Sequence, residues 1–240
     1  MNRQRLIILS VLALLLVGAT VLYFRQVYDE SRTRFRTGYD IPRDIIPSDL
    51  ITTEIVTPEE PVAPEIRDTD PLLAGNPNSP VTLIVFGDFQ SDLSRQQATA
   101  IYASLKSADV GGNVRVVWRD LPVIRDHSKA LPSAIAGRCA ARQEKFKQMH
   151  DELFSNAVAY DDMEFLRMAR KINLEEEEFS ICVNDPAIVF NIDRDIEDAL
   201  RHGVTEVPMI FINGLAYPGY SDAETLTEIL RYELSKAQSQ

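Results

Sequence analysis

The sequence predicts an α/β domain in which a β-α-β unit and a β-β-α unit are separated by a block of helices. Residues 81–86 form an unbroken apolar and β-branched run, which is typical of a buried strand. Residues 114–118 form a second predicted strand after a glycine-rich turn, with Arg115 the one charged residue among apolar ones. Residues 207–212 form a third, and Asn213-Gly214, a strong hairpin signal, follows it directly.

The helices are predicted from apolar residues at helical spacing between these strands. One helix follows 81–86, so the first two strands are joined by a crossover and should be parallel. A helical insert is predicted over about 125–202, and a last helix begins at the capping box that runs from Ser221 to Glu224. The helices of the insert are expected at 133–154, 162–172, 174–183 and from Pro186 until Gly203.

The N-terminus carries an apolar stretch. Residues 6–24 contain no charge, follow Arg3 and Arg5, and are long enough to cross a bilayer as a helix. A cleavable signal peptide is the alternative, because Val17-Gly18-Ala19 offers a small-residue cleavage site. We favour a transmembrane anchor over 1–25, because the apolar run continues beyond that site. Both alternatives are export signals, so a single-pass protein with its domain outside the cytoplasm, periplasmic or at the cell surface, is expected.

Residues 26–70 are predicted to be an extended, poorly packed linker. They contain five prolines among isolated apolar residues, and the stretch 37–72 carries nine acids against two arginines. The predicted globular domain therefore covers 71–240.

Composition excludes several classes of function. The net charge of −11 and the lack of a basic stripe argue against nucleic-acid binding. The three histidines, His127, His150 and His202, are scattered, and the two cysteines lie 43 positions apart, so no metal site is expected. No motif indicates a cofactor.

The stretch with most potential for chemistry follows the first strand. Gly87, Asp88 and Gln90 end the apolar run, and a helix begins near Ser91. The free N–H groups of a helix N-terminus stabilise negative charge, and here they meet Ser91, Asp92, Leu93 and Ser94. A nucleophilic serine needs a positioned base, and no histidine lies near in sequence, so a hydrolase is disfavoured. His127 and His150 are expected at the surface or its boundary.

The order of elements and four segments resemble the DsbA-like branch of the thioredoxin-fold thiol–disulfide oxidoreductases. The resemblance covers about 70–234, and its segments are D-P-L-L-A-G-N-P-N-S-P-V-T-L-I-V-F-G-D-F-Q, V-R-V-V-W-R-D-L-P-V, H-S-K-A with C-A-A-R-Q-E-K-F-K-Q-M-H-D-E-L-F, and G-V-T-E-V-P-M-I-F-I-N-G. It implies a thioredoxin-like fold with the helical insert, and it implies that Pro208 is a cis-proline facing the turn at Ser91.

The chain departs from this family at the reacting atoms. Ser91-Asp92-Leu93-Ser94 stands where the family has Cys-x-x-Cys, and a serine hydroxyl cannot form a disulfide. Val85 stands where members often carry a buried acid. The interpretation is a site that has lost its thiols and is redox-inactive, so that the protein is not expected to be an enzyme.

Cys139 and Cys182 fall in the insert, where some relatives carry a second, structural cystine. The resemblance and the expected export favour a structural disulfide between them. Two buried free thiols and a remote redox-active pair are the alternatives.

The favoured function is the binding of an extended peptide or a partner protein in a groove formed by Phe89, Gln90, Val207 and Pro208. An extended chain can add to exposed backbone there without any cysteine. The alternatives are an oxidoreductase, chaperone or isomerase role, as the family implies, and a scaffold subunit of an envelope assembly.

Overall fold

The computed structural model describes residues 64–155 and 162–238, which form a five-stranded sheet packed with helices. The strands are β1 (Leu72–Ala74), β2 (Val81–Gly87), β3 (Val114–Asp120), β4 (Met209–Ile212) and β5 (Leu215–Pro218). The helices are α1 (Asp92–Ser104), α2 (Ala130–Arg142), α3 (Phe146–Ser155), α4 (Asp162–Lys171), α5 (Glu176–Cys182), α6 (Pro186–Arg201) and α7 (Ala223–Ala237).

The sheet has the order β1-β3-β2-β4-β5. Strands β2 and β3 are parallel, as the crossover through α1 requires, whereas β4 is antiparallel to both β2 and β5. The predicted order of β-α-β, helical insert and β-β-α is therefore confirmed. Strand β1, a three-residue edge strand that lies antiparallel to β3, was not predicted from the sequence.

The core lies on both faces of the sheet, which explains why β2 reads as a continuous apolar run. Leu83 and Val85 face a large cluster that includes α1, α7 and most of the insert. Ile84 and Phe86 alternate with them and face a smaller cluster with Ala199 at the end of α6.

The predicted helix over 133–154 is two helices. The chain leaves α2 at Arg142 and begins α3 at Phe146, and between them Glu144 adopts a left-handed conformation with φ of 58°. This break turns α3 so that its buried face packs into the core beside α2.

Residues 64–70, which were predicted to belong to the linker over 26–70, pack against the domain. Asp70 accepts from the fully buried Arg119 and pairs with Arg67, and Arg119 also donates to the carbonyl of Glu65. The sequence shows prolines and acids here, but the charge of Asp70 is compensated by Arg119, 49 positions later in the chain.

The predicted anchor over 1–25 and most of the linker lie outside the described residues. Within 64–155 and 162–238, no helix combines the length and the apolar character needed to cross a membrane.

Cys139 and Cys182 are joined in a disulfide, with their Cα atoms 5.7 Å apart. The bond links α2 to the end of α5, and both residues belong to the large core cluster. Since the chain has two cysteines, no free thiol remains.

Candidate functional site

The turn between β2 and α1 is held by its own serine side chains. Ser91 is the N-cap of α1, and its Oγ accepts from the amide of Ser94 at 3.2 Å. The Oγ of Ser94 is buried and accepts from the amide of Asp88 at 3.2 Å. Both hydroxyls therefore stabilise the turn, while Asp92 and Leu93 between them are exposed.

Asp88 is a buried carboxylate at the centre of this site. Its Oδ1 accepts from the amide of Gln90 at 2.7 Å, and its Oδ2 accepts from the amide of Val123 at 2.8 Å. Its Oδ2 also lies 2.7 Å from Nδ1 of His127. Three contacts to a desolvated carboxylate fix the loop after β3 against the turn.

This contact between Asp88 and His127 was not predicted from the sequence, because the two residues lie 39 positions apart. This contact joins His127 to a carboxylate and not to a serine. In the described part of the chain no hydrogen bond joins a histidine to the hydroxyl of Ser91 or Ser94.

Gln90 makes a second connection between the turn and the same loop. Its Oε1 accepts from the amide of Lys129 at 2.6 Å. The turn is thus held from the side by both Asp88 and Gln90, and the loop residue Ile124, next to Val123, remains 52% exposed.

Pro208 lies opposite the turn. The Val207–Pro208 peptide bond is cis, which is the isomer that the resemblance implies. Phe86 pairs with Met209 in the β2–β4 ladder, so the antiparallel register continues with Pro208 opposite Gly87. The carbonyl of Pro208 accepts from the amide of Gly219 at 3.1 Å.

Val207 has unused backbone groups. In the described part of the chain its amide and its carbonyl make no hydrogen bond, although the residue is half-buried. Half-buried backbone groups normally have hydrogen-bond partners. Because the amide and the carbonyl of Val207 have none within the described domain, they can bind another chain.

Exposed apolar side chains occur in the segments that form the turn or are hydrogen-bonded to it, to Pro208 or to α1. Leu93 in the turn is 49% exposed, and Tyr220 after β5 is 45% exposed. Tyr220 is held near α1 because Gln97 exchanges two hydrogen bonds with the backbone of the next residue, Ser221. We call Leu93, Ile124 and Tyr220 the apolar rim.

The layer beneath the turn is aromatic. Phe89 stacks on Trp118 with ring centroids 4.9 Å apart, and Val85, at the position where the family often has an acid, is buried in the same core cluster. Phe89 is also fully buried, so it supports the predicted groove from below and does not line its surface.

His150 is at the centre of this aromatic layer, and its expected surface position was wrong. It is 1% exposed and contacts the rings of Phe89, Trp118 and Phe154 at centroid distances of 4.8–5.7 Å. Its Nδ1 lies 3.2 Å from Asp151, whereas its Nε2 is buried without a partner among the described residues. Burial lowers the pKa of His150, against the opposing effect of Asp151, so the imidazole is neutral.

This burial predicts a pH dependence of stability. The unfolded chain binds a proton at His150 near pH 6.5 and the folded chain does not, so stability from the neutral ring is lost as the pH falls below about 6.5. Between pH 7.5 and pH 5 we expect the unsubstituted protein to lose more of its free energy of unfolding than His150→Phe loses, by at most about 2 kcal/mol. Urea unfolding at both pH values measures this difference.

The carboxyl of Asp195 does not disturb that comparison. Burial raises its pKa to about 7, against the opposing effect of Arg138, so its own contribution falls as the pH rises. It is present in both proteins and cancels from their difference. Equal losses in the two proteins would contradict a neutral, buried His150.

In the two described stretches no group of three or more histidine, cysteine, aspartate or glutamate side chains is arranged to hold a metal ion.

Comparisons with known proteins agree with this architecture. The model of a family described as "Thioredoxin" matches residues 67–231. The Na(+)/H(+) antiporter NhaA 1 of Mycolicibacterium gilvum is 30% identical over 180 residues, which cover 72% of this chain and 29% of that protein. The Na(+)/H(+) antiporter NhaA of Herminiimonas arsenicoxydans is 29% identical over 172 residues, covering 72% of this chain and 26% of that protein. The chain thus spans less than a third of the length of these two relatives.

Solved structures share the fold. The thiol-disulfide exchange protein alpha-DsbA2 from Wolbachia pipientis superposes with a TM-score of 0.61 at 21% identity, over 68% of this chain and 87% of that one. A thioredoxin-like oxidoreductase from Silicibacter pomeroyi gives a TM-score of 0.59 at 21% identity, over 72% of this chain and 95% of that one. At this level of identity the likeness concerns the fold alone.

Proposed function

The chain belongs to the thioredoxin family, and from that premise we propose that it is a redox-inactive member that binds an extended polypeptide at the groove between the turn at Ser91 and Val207-Pro208. The observation that carries the proposal is the unused backbone of Val207, placed opposite a turn that holds no thiol. An extended chain can pair with that amide and carbonyl as an added strand.

The side chains of the turn support binding rather than exchange. Thiol–disulfide exchange requires a thiolate and a leaving thiol, and Ser91 and Ser94 supply neither. Their oxygens accept amide hydrogen bonds within the turn. Cys139 and Cys182 are bonded to each other within the insert and do not replace them.

The apolar rim supports the same function. Leu93, Ile124 and Tyr220 expose large apolar surface, and each is positioned by a backbone that is fixed to the turn or to α1. Burying such surface against the side chains of a bound chain would add affinity to the backbone hydrogen bonds.

We further propose that the domain is held at a membrane, outside the cytoplasm, by its N-terminal apolar segment. The uncharged run over 6–24 supports this position. The names of the curated relatives, which are Na(+)/H(+) antiporters, give a second candidate, a scaffold in a membrane assembly with an ion transporter. Co-purification of a transporter with the chain from native membranes would favour this second candidate.

Two measurements on the purified protein test the proposed function. Insulin reduction and dithiol oxidation are expected to stay at the uncatalysed rate, because no thiol is present. An unfolded, cysteine-free polypeptide is expected to bind, with binding reduced at least about tenfold by Val207→Asp, which places a charge beside the free backbone pair.

Ile181→Asp is the matched control, because Ile181 is exposed on α5 in the helical insert. Circular dichroism confirms that both variants are folded. Catalysed dithiol oxidation, or equal loss of binding in the two variants, would contradict the proposal.

A further inference from the structure

We infer that the groove selects extended segments in which a large apolar residue lies next to a lysine or arginine. This inference rests on the proposed function and specifies the chemistry of the bound chain. It follows from the combination of the apolar rim with one uncompensated carboxylate, that of Glu206.

The apolar half of the site is preorganised. Ile124 follows Val123, whose amide is bound by buried Asp88, and Tyr220 lies between Gly219 and Ser221, which are bound by Pro208 and Gln97. Leu93 is in the first turn of α1. Side chains on a fixed backbone lose little entropy on binding, so a large apolar residue gains more here than a small polar one.

The charged half of the site is acidic. The turn segment 91–95, the loop 123–127 bound by Asp88, and the segments 204–208 and 218–222 joined through Pro208 and Gly219 carry four carboxylates against two arginines. Three of those carboxylates have partners: Asp92 pairs with Arg95, Asp126 lies 3.6 Å from Arg125, and Asp222 caps α7.

Glu206 differs from the other three. It is exposed, and in the described part of the chain its side chain makes no hydrogen bond or ion pair. It directly precedes Val207, whose backbone would pair with the bound chain. A cation on the residue next to the paired position would therefore meet a carboxylate that has no other partner.

An acidic segment is disfavoured by the same arrangement. It would approach Glu206 with like charge, and the whole chain carries a net charge of −11. Cysteine in the bound segment contributes nothing, because no free thiol is available to react with it.

Three fluorescein-labelled twelve-residue peptides test the inference with the full chain in detergent. They share one Gly/Ser/Thr frame without cysteine and carry Leu-Lys, Leu-Glu or Ser-Lys at the centre. We expect the Leu-Lys peptide to bind about fivefold more tightly than the Leu-Glu peptide, as exposed ion pairs allow, and about tenfold more tightly than the Ser-Lys peptide.

Charge reversal identifies the carboxylate. Glu206→Lys should weaken the Leu-Lys peptide about fivefold and strengthen the Leu-Glu peptide, and the difference should shrink at high salt. Glu177→Lys makes the same charge change on an exposed position of α5 and should alter neither peptide by more than about twofold.

The outcomes separate the inference from the proposed function. Equal binding of all three peptides, insensitive to Glu206→Lys but lost in Val207→Asp, would overturn the selectivity and leave the groove as a peptide site. Failure of every peptide and of the unfolded polypeptide to bind would overturn both.

Discussion

Arg138→Met is expected to lower the free energy of unfolding by about 3–5 kcal/mol, because it removes one partner from a buried ionic network. Arg138 is 3% exposed and lies on α2. Its Nε donates to Asp120 at 2.6 Å, its Nη2 donates to Asp195, and its Nη1 donates to the carbonyl of Thr69 at 2.8 Å. Without it, two buried carboxylates lose their main cation.

The network explains why the loss should be so large. Asp195 on α6 also accepts from Arg67 and from the amide of Asp120. Arg138 thus joins α2, the end of β3, α6 and the segment before β1 in one contact region. Removing Arg138 leaves the buried carboxylates of Asp120 and Asp195 without its charge. The cost of burying such unpaired charges is far larger than the net stabilisation by the intact ion pairs.

Arg142→Met is the matched control, measured with Arg138→Met by urea unfolding. Arg142 also lies on α2 and pairs with Asp185 at 2.7 Å, but both side chains are partly exposed, so the loss should stay below about 1 kcal/mol. The deficit of Arg138→Met should be smaller at pH 5 than at pH 8, because a protonated Asp195 needs no cation. Equal losses in the two variants would show that the buried network does not stabilise the domain.

The order of strands and helices could be predicted from the sequence because a local residue pattern indicates each of these elements. The apolar runs at β2 and β3 and the Asn213-Gly214 hairpin are signals within a few residues of each other. The cap of α6 was also local: Asp185 accepts from the amide of Ala187, with Pro186 in the first turn.

Elements that depend on distant partners were missed or misplaced. Strand β1 exists because Leu72 and Ala74 pair with β3, more than forty positions later. The predicted capping box at Ser221 is shifted by one residue, since the amide of Ser221 is bound by Gln97 and Asp222 caps α7 instead. No local pattern contains these contacts.

For the candidate site too, some features could be predicted from the sequence and others depend on distant partners. The substitution of serines for cysteines at Ser91 and Ser94 can be read directly from the sequence, and so can the position of Pro208. The contact of His127 with Asp88 and the burial of His150 could not be predicted, because they arise when the insert folds back over the turn. A single polar residue on a helix does not reveal which way it faces.

Replacement of both cysteines, as Cys139→Ala/Cys182→Ala, is expected to lower the free energy of unfolding by about 4 kcal/mol in the chain-entropy account. The bond closes a loop with a sequence separation of 43, and without it the unfolded chain regains that freedom. Urea unfolding of the variant and of the oxidised and reduced protein measures the effect. A loss below about 1 kcal/mol would contradict it.

The variant without the disulfide also tests whether the helical insert contributes to peptide binding. The bond joins α2 to α5 within the insert, whereas the groove depends on the turn at Ser91, on Val207 and on the loop fixed by Asp88. Peptide binding should therefore persist under conditions in which the variant is folded, and dithiol oxidation should remain uncatalysed in both proteins. Loss of peptide binding by a folded variant would mean that the disulfide shapes the groove through the core that α2 and α3 share, so the insert would belong to the binding site and not only to its support.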